Sequence, residues 1–306
     1  MKVTALAGGV GGAKLLVGLE RALRPDSPTV IVNTGDDAVI YGVHISPDID
    51  IVTYWLAGLA DTNRGWGIAE DSFTVVDSLA ALGEPVWFRL GDRDLATCLY
   101  RTKRLSEGAT LSQATEEIRR SLGVRTRILP ATDDAVRTLI ITTGGRTLEF
   151  QQYFVAERAA PEISEVQFDG IEDAAPALGV MDALEGSDVV LVCPSNPVLS
   201  VGPILAFPGV RDRLRLHPRV IAVTPIIRGA AVKGPAAQNL KSMGIGAEAA
   251  AVASMYADFA DIFVVDSRDR EQADKVAALG VRAVALDTMM TSHDASERLA
   301  RELLTL

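Results

Sequence analysis

Three groups of residues in this chain have the types and spacing to do chemistry. The first is Gly8-Gly9-Val10-Gly11-Gly12-Ala13-Lys14, which follows a short apolar run and opens a helical pattern. Glycines let the backbone turn tightly and approach an anion, and the free amides and dipole of a helix start favour negative charge. Gly9, Gly11, Gly12 and Lys14 are therefore expected to bind phosphate. No Ser or Thr follows Lys14 to reach a metal ion, so this is not a Walker loop, and the dinucleotide spacing is met only loosely. A purely structural turn is the other reading.

The second group follows the second apolar run: Asn33-Thr34-Gly35-Asp36-Asp37, then His44, then Ser46-Pro47-Asp48-Ile49-Asp50. In a parallel sheet the carboxyl ends of neighbouring strands face one crevice, which would gather these side chains beside the glycines. Four carboxylates repel a phosphate unless a cation intervenes. Magnesium, a hard ion that prefers oxygen ligands, is the economical choice. Asp36 and Asp37 also read as turn and helix-cap residues, and Asp48 as the cap of a helix starting near Ile49. Asp50 has no such local role. His44 has no second His or Cys at ligand spacing and reads as a hydrogen-bonded loop histidine.

The third group is dispersed. Asp61-Thr62-Asn63-Arg64-Gly65-Trp66-Gly67 is a loop whose Trp66 can stack on a flat ring or pack on the domain edge. Arg89-Leu90-Gly91-Asp92-Arg93-Asp94, after a short Val86–Phe88 strand, can grip phosphate and hydroxyls or satisfy its own charges. Three prolines stiffen Cys193–Ile204, leaving Ser195, Asn196 and Ser200 to recognise a base or sugar. No GxSxG elbow accompanies these serines, which argues against a catalytic serine. Arg228 and Lys233 can add a basic rim.

These residues need a scaffold, and the apolar patterning supplies one. Val3–Ala7 and Thr29–Val32 flank a helical pattern at Ala13–Leu23, a β-α-β opening. Asp188–Cys193, Arg219–Val223, Ile262–Asp266 and Val281–Leu286 read as further buried strands with helices between them. The expected class is α/β: a Rossmann-like, mainly parallel sheet with helices on both faces. The middle differs, with two consecutive helical patterns between Leu95 and Leu122 and short strands at Arg125–Leu129, Arg137–Thr142 and Thr147–Phe150, the last two joined at Gly144-Gly145. The expected division is a core of 1–94 and 177–306 carrying a mixed α+β insertion at 95–176.

The 306 residues, 48% hydrophobic and 23% charged, suffice for a sizeable core. A formal charge of −10 without a Lys/Arg cluster argues against nucleic acid as a partner. No apolar stretch is long enough to span a bilayer and no signal peptide is evident, so a cytoplasmic protein without membrane contact is expected. Cys98 and Cys193 lie far apart and read as buried thiols.

Taken together and in order, GGVGGAK, NTGDD, SPDID, RGWGI, LGDRDLAT, SNPVLSVGPI and KGP closely resemble the 2-phospholactate transferase family, the deazaflavin (Fo) transferases of coenzyme F(420) biosynthesis. The likeness runs through nearly the whole chain. It implies a donor of guanosine diphosphate joined to phospholactate or phosphoenolpyruvate, an Fo acceptor, magnesium, release of GMP, and a homodimer. By matching positions it implies that Asp50 and Arg89 contact Fo, with Asp50 orienting or deprotonating the ribityl hydroxyl. Trp66 and the LGDRD motif with Asp92 would complete an acceptor wall. The glycine turn, Asn33 and the Ser195–Ile204 loop with Gly202 would hold the donor, and Asp36, Asp37 or Asp50 would reach the metal. One departure is Cys98, where relatives are expected to carry histidine. On this reading Asp50→Asn abolishes transfer and leaves the fold intact. A non-catalytic nucleotide- or sugar-nucleotide-binding regulator is the alternative. A nicotinamide oxidoreductase is disfavoured because Asn33-Thr34 ends the second strand where an acidic residue would hold the ribose.

Overall fold

The computed structural model describes residues 1–306. Seven strands build one parallel sheet: β1 (Val3–Ala7), β2 (Thr29–Val32), β3 (Arg127–Pro130), β4 (Val189–Val192), β5 (Val220–Val223), β6 (Ile262–Asp266) and β7 (Arg282–Leu286). Their order across the sheet is β7-β6-β5-β4-β1-β2-β3, with every neighbouring pair parallel. The strand order therefore reverses direction between β1 and β4, which makes the crevice beyond their carboxyl ends the expected ligand site of the sheet.

The central strands are unbroken apolar runs because both faces are covered. Leu6, Ile31, Val190, Ala222 and Phe263 point into one core, while Ala5, Val30, Leu191, Ile221 and Val264 point into the other. The second core is closed by α1 (Gly9–Ala22), α2 (Pro47–Leu56) and the C-terminal helix His293–Thr305. The first is closed by shorter helices such as Val201–Ala206 and Ala249–Tyr256. No helix is long and apolar enough to cross a membrane.

Helix α1 begins at Gly9, ahead of the Ala13–Leu23 pattern expected from sequence, so the glycines form its first turn rather than a loop before it. Glycine has no side chain with which to display periodicity. Three further helices follow: α3 (Thr74–Ala81), α4 (Asp92–Ser106) and α5 (Leu111–Ser121), the last opened by a Thr110–Gln113 capping box. Val86–Phe88 is not a strand: it has no strand to pair with, and Trp87 and Phe88 instead pack edge to face and line a cavity.

The region expected as an insertion contributes to the sheet itself. Arg127–Pro130 pairs with β2 as the edge strand, burying Ile128 and Leu129. Beyond it, Thr147–Glu149, Arg137–Thr142 and Ile163–Asp169 make a three-stranded antiparallel sheet in that order. The strand Ile163–Asp169 has mostly polar, outward-facing residues, so it carries no apolar-run signal. Ile140, Tyr153 and Ile163 share a core with Leu6 and Ile31, so this small sheet packs directly on the large one.

Candidate active site

The turns leaving β1 and β4 meet at the point where strand order reverses. The Gly8 amide donates to Ser195 Oγ at 3.1 Å, and the same hydroxyl donates to the Gly8 carbonyl at 2.7 Å. A Cβ on Gly11 would run into the Pro194 carbonyl, and one on Gly12 would lie 2.8 Å from Ser195 Oγ. Two of the four glycines thus exist to let these turns touch. Above the turns opens a cavity of about 940 Å³, whose wall includes Gly9, Gly11, Lys14, Ser195, Asn196 and Ser200.

The anion nearest the start of α1 belongs to the chain itself. Asp48 Oδ1 accepts from the Gly9 amide at 2.6 Å and Asp48 Oδ2 from Asn33 Nδ2 at 3.0 Å. Asp48 therefore does not cap its own helix α2; it caps α1 from a distance. The same Asn33 Nδ2 lies 3.2 Å from Asp36 Oδ1, so one amide holds two carboxylates together. Both are buried and both line the cavity. Burial pushes Asp48 up to about 6. Burial, and then the charge of Asp48, lift Asp36 well above the usual carboxylate range. No basic side chain pairs with either.

A second charged cluster is centred on Asp50, two residues beyond Asp48 in α2. Asp50 is gripped bidentately by Arg101 of α4, through Nη2 to Oδ1 and through Nη1 to Oδ2 at 3.1 Å. Arg101 has no exposed surface at all, and its Nη1 also donates to the His44 carbonyl at 3.3 Å. Carboxylate oxygens of Asp50 and Asp94 and the Cys98 sulfur lie within 4.8 Å of one another. Asp94 accepts from the Tyr54 hydroxyl at 2.8 Å, and burial followed by the charge of Asp50 pushes it up to about 7. Cys98, also buried, is driven far above the usual thiol range by burial. Cys193 is likewise a buried free thiol.

The opposite rim is made of rings and cations. The Arg64 guanidinium sits 4.9 Å from the Trp66 ring centre and 5.2 Å from Phe73, and Arg89 sits 4.7 Å from Phe73. Arg89 pairs with Asp77 at 2.7 Å, not with the aspartates of its own loop. Those aspartates serve helix ends: Asp92 accepts from the Thr74 and Val75 amides at the start of α3, while Asp71 accepts from the Arg93 and Asp94 amides at the start of α4. Trp66 and Arg89 line the cavity.

The structure therefore brings Gly9, Gly11, Lys14, Asp36, Asp50, Trp66, Arg89, Ser195, Asn196 and Ser200 to one cavity. Five others expected at the site stand outside its wall. Gly12 packs behind the turn, Asn33 is fully buried beneath the carboxylates, and Gly202 packs against the Pro197 carbonyl and Phe168. Asp92 is a helix cap, and Asp37 accepts from Ser46 Oγ at 2.6 Å on a separate small recess. Of the residues expected from sequence to reach a metal, Asp36 lines both the cavity and the recess that holds Asp37, and Asp50 lines the cavity paired with Arg101. His44 is a strand residue rather than a loop residue, and burial, then Arg101, lower it to about 4.

Sequence reasoning missed Arg101, Asp94 and Tyr54. Arg101 lies within the strongly polar helix α4, where one basic residue resembles any solvated one. Asp94 and Tyr54 gave no separable signal, although Asp94 was quoted inside LGDRD.

A doubly covered parallel sheet, its crevice lined by a glycine turn and paired carboxylates, defines an α/β protein with a ligand crevice at the strand reversal. Residues 3–304 match the family model described as 2-phospho-L-lactate transferase CofD. The chain belongs to that family of transferases. It is 41% identical to a phosphoenolpyruvate transferase of Streptomyces griseus, over 100% of this chain and 98% of that protein. It is 39% identical to a 2-phospho-L-lactate transferase of Methanosarcina mazei, over 96% of each. A crystal structure of a UPF0052 family member from Bacillus halodurans superposes with a TM-score of 0.68, covering 99% of this chain and 98% of that one, at 17% identity. That likeness bears on the fold alone.

Proposed function

We propose that this enzyme transfers a phosphoenolpyruvyl or phospholactyl group from a guanosine diphosphate-linked donor to the ribityl hydroxyl of Fo, releasing GMP, in coenzyme F(420) biosynthesis. The observation that carries the reading is the convergence of Asp36, Asp48 and Asp50 with Trp66 and Arg89 on one cavity. Its volume of about 940 Å³ suits two sizeable ligands held side by side.

In this mechanism the acceptor hydroxyl oxygen forms a bond to the phosphorus bearing the transferred group. The bond from that phosphorus to the bridging oxygen breaks, and the oxygen leaves with GMP. The glycine turn and the Ser195–Ser200 loop seat the donor, and Trp66 and Arg89 present a ring and a cation to the flat deazaflavin. Asp50, fixed by Arg101, orients the hydroxyl. Its neighbour Asp94, at about 7, is placed to take the proton. Asp36 and Asp48 fit a hard divalent cation, because they are buried oxygen donors facing each other with no basic partner. When bound there, magnesium would neutralise charge on the transferred phosphate. Positioning by the chain provides the rest. A homodimer in the cytoplasm completes the reading.

Mass spectrometry of the product made from Fo with each donor tests it. An adduct one phosphoenolpyruvyl or phospholactyl group heavier than Fo is expected, with GMP in equal amount. Intact Fo after incubation with every donor and magnesium would sink the proposal. Relatives named for the two donors have nearly equal identity to this chain, so the donor is decided by that experiment.

A further inference from the structure

Four basic side chains line the cavity: Lys14, Arg89, Arg158 and Lys233. Lys14 donates to the Met290 carbonyl, Lys233 donates to the Arg64 carbonyl, and Arg89 pairs with Asp77. Arg158 alone has no partner in the chain. Its backbone is unusual too. Arg158 and Ala159 both have φ of 52°, a left-handed conformation that side-chain-bearing residues seldom adopt twice running. They follow a π-helical turn, Gln152–Ala156, a rarity concentrated at functional sites.

This conformation is held from several directions. The Ala159 carbonyl accepts from Gln238 Nε2 at 3.0 Å, and its amide donates to the Tyr153 carbonyl at 2.8 Å. The Tyr153 hydroxyl donates to Asn239 Oδ1 at 2.9 Å. At the other end Gln151 Nε2 donates to the Asp36 backbone carbonyl at 3.0 Å, tying the segment to the turn that carries that carboxylate. Between these anchors Phe150 and Phe154 stack at 5.5 Å with planes 11° apart, and both line the cavity. The result is an apolar ledge on an anchored backbone, with the exposed, unpaired guanidinium of Arg158 at its end.

We infer that Arg158 binds the carboxylate of the group being transferred, with the Phe150–Phe154 ledge beside it. The inference rests on the proposed function, whose alternative donors all carry a carboxylate next to the phosphorylated carbon. A planar guanidinium fork matches a carboxylate with two parallel hydrogen bonds, which an ammonium cannot do. Arg158 is thus assigned to the part of the donor that distinguishes it from guanosine diphosphate.

The test compares wild type, Arg158→Gln and Arg158→Lys by calorimetric titration with guanosine diphosphate and by steady-state transfer to Fo. Arg158→Gln should bind guanosine diphosphate as wild type does, while KM for the carboxylate-bearing donor rises on the order of ten- to a hundred-fold. Arg158→Lys should recover part of that loss. An unchanged donor KM in Arg158→Gln would overturn the inference, as would an equal loss of guanosine diphosphate affinity, which would place Arg158 on the diphosphate. If Arg158→Gln loses its circular dichroism, Arg158→Lys decides, because it keeps the charge but not the fork. Wild type that transfers nothing with any donor removes the functional reading itself, and with it this inference.

Discussion

The two sides of the cavity are built in opposite ways. On the side of the strand reversal, Gly8, Asn33, Asp36 and Ser195 follow strand ends, Asp48 opens α2, and all are buried and linked by hydrogen bonds, Gly8 to Ser195 and Asn33 to both carboxylates. On the other side, Arg64, Trp66, Phe73 and Arg89 sit on loops, with Trp66 40% exposed, and hold together through ring-cation contacts and two ion pairs, Arg64–Asp61 and Arg89–Asp77. The first is preorganised by the sheet, so removing a member leaves buried polar atoms unsatisfied. The second can adjust, so removing a member costs contact area and little else. Asp50 and Arg101 belong with the first kind although they face the second.

Substitutions can break or sharpen this contrast. Asp48→Asn should have the largest effect on turnover, lowering the transfer rate on the order of a thousand-fold as a main charge stabiliser is lost. Initial rates with Fo measure it, chelation of wild type should mimic it, and a near-normal rate would remove the Asp36–Asp48 cation site. Asp50→Asn should cost stability as well as transfer, in contrast to the intact fold expected from sequence. It strands the Arg101 charge in the interior, a loss of about 3–5 kcal/mol by urea titration. Adding Arg101→Met should restore stability without restoring transfer; if it restores neither, the pair is not the reason.

Arg89→Ala should raise KM for Fo about two- to five-fold, the scale of one exposed cation-ring contact with a ligand, and leave the urea midpoint unmoved. A large stability loss would mean that the loop side is as preorganised as the sheet side. A test by pH concerns Asp94, whose pKa rises from 3.8 to about 7 on folding. Between those values the folded protein holds a proton the unfolded chain has released, so stability falls as pH rises through the window and the penalty is complete above it. Asp94→Asn should therefore gain melting temperature over wild type at about pH 8 more than at about pH 4. Equal offsets at both would contradict the assignment.

The sheet was legible because strands buried on both faces are written as continuous Val, Ile and Leu, and the glycine turn because it directly follows one of them. β3 was placed in an insertion because its partner β2 lies far away in sequence and its four residues carry no mark of where they pair. Asp48 looked like a local cap, since nothing nearby reveals that α2 points its first turn at the start of α1. Asp92 looked like a ligand for a similar reason, and is instead half of a reciprocal pair of caps with Asp71. In each case residue type was readable and the long-range partner was not. Trp66 and Arg89 were legible only as loop residues able to stack on a ring or grip an anion, and their expected role toward an acceptor came from family resemblance, because loop residues have no periodicity to declare them.

The double bond between Ser195 and Gly8 has a mechanical consequence. It rivets the ends of β1 and β4 together beneath the cavity, so the floor is expected to keep its width as ligands come and go. Breathing that admits one ligand and discharges another is then expected at the rim, where Lys233 is fastened to the Arg64 carbonyl by a single 2.7 Å bond. Traffic through this enzyme would then be governed by that fastening, and a probe attached near Gly65 would register each passage while one near Ser195 stayed silent.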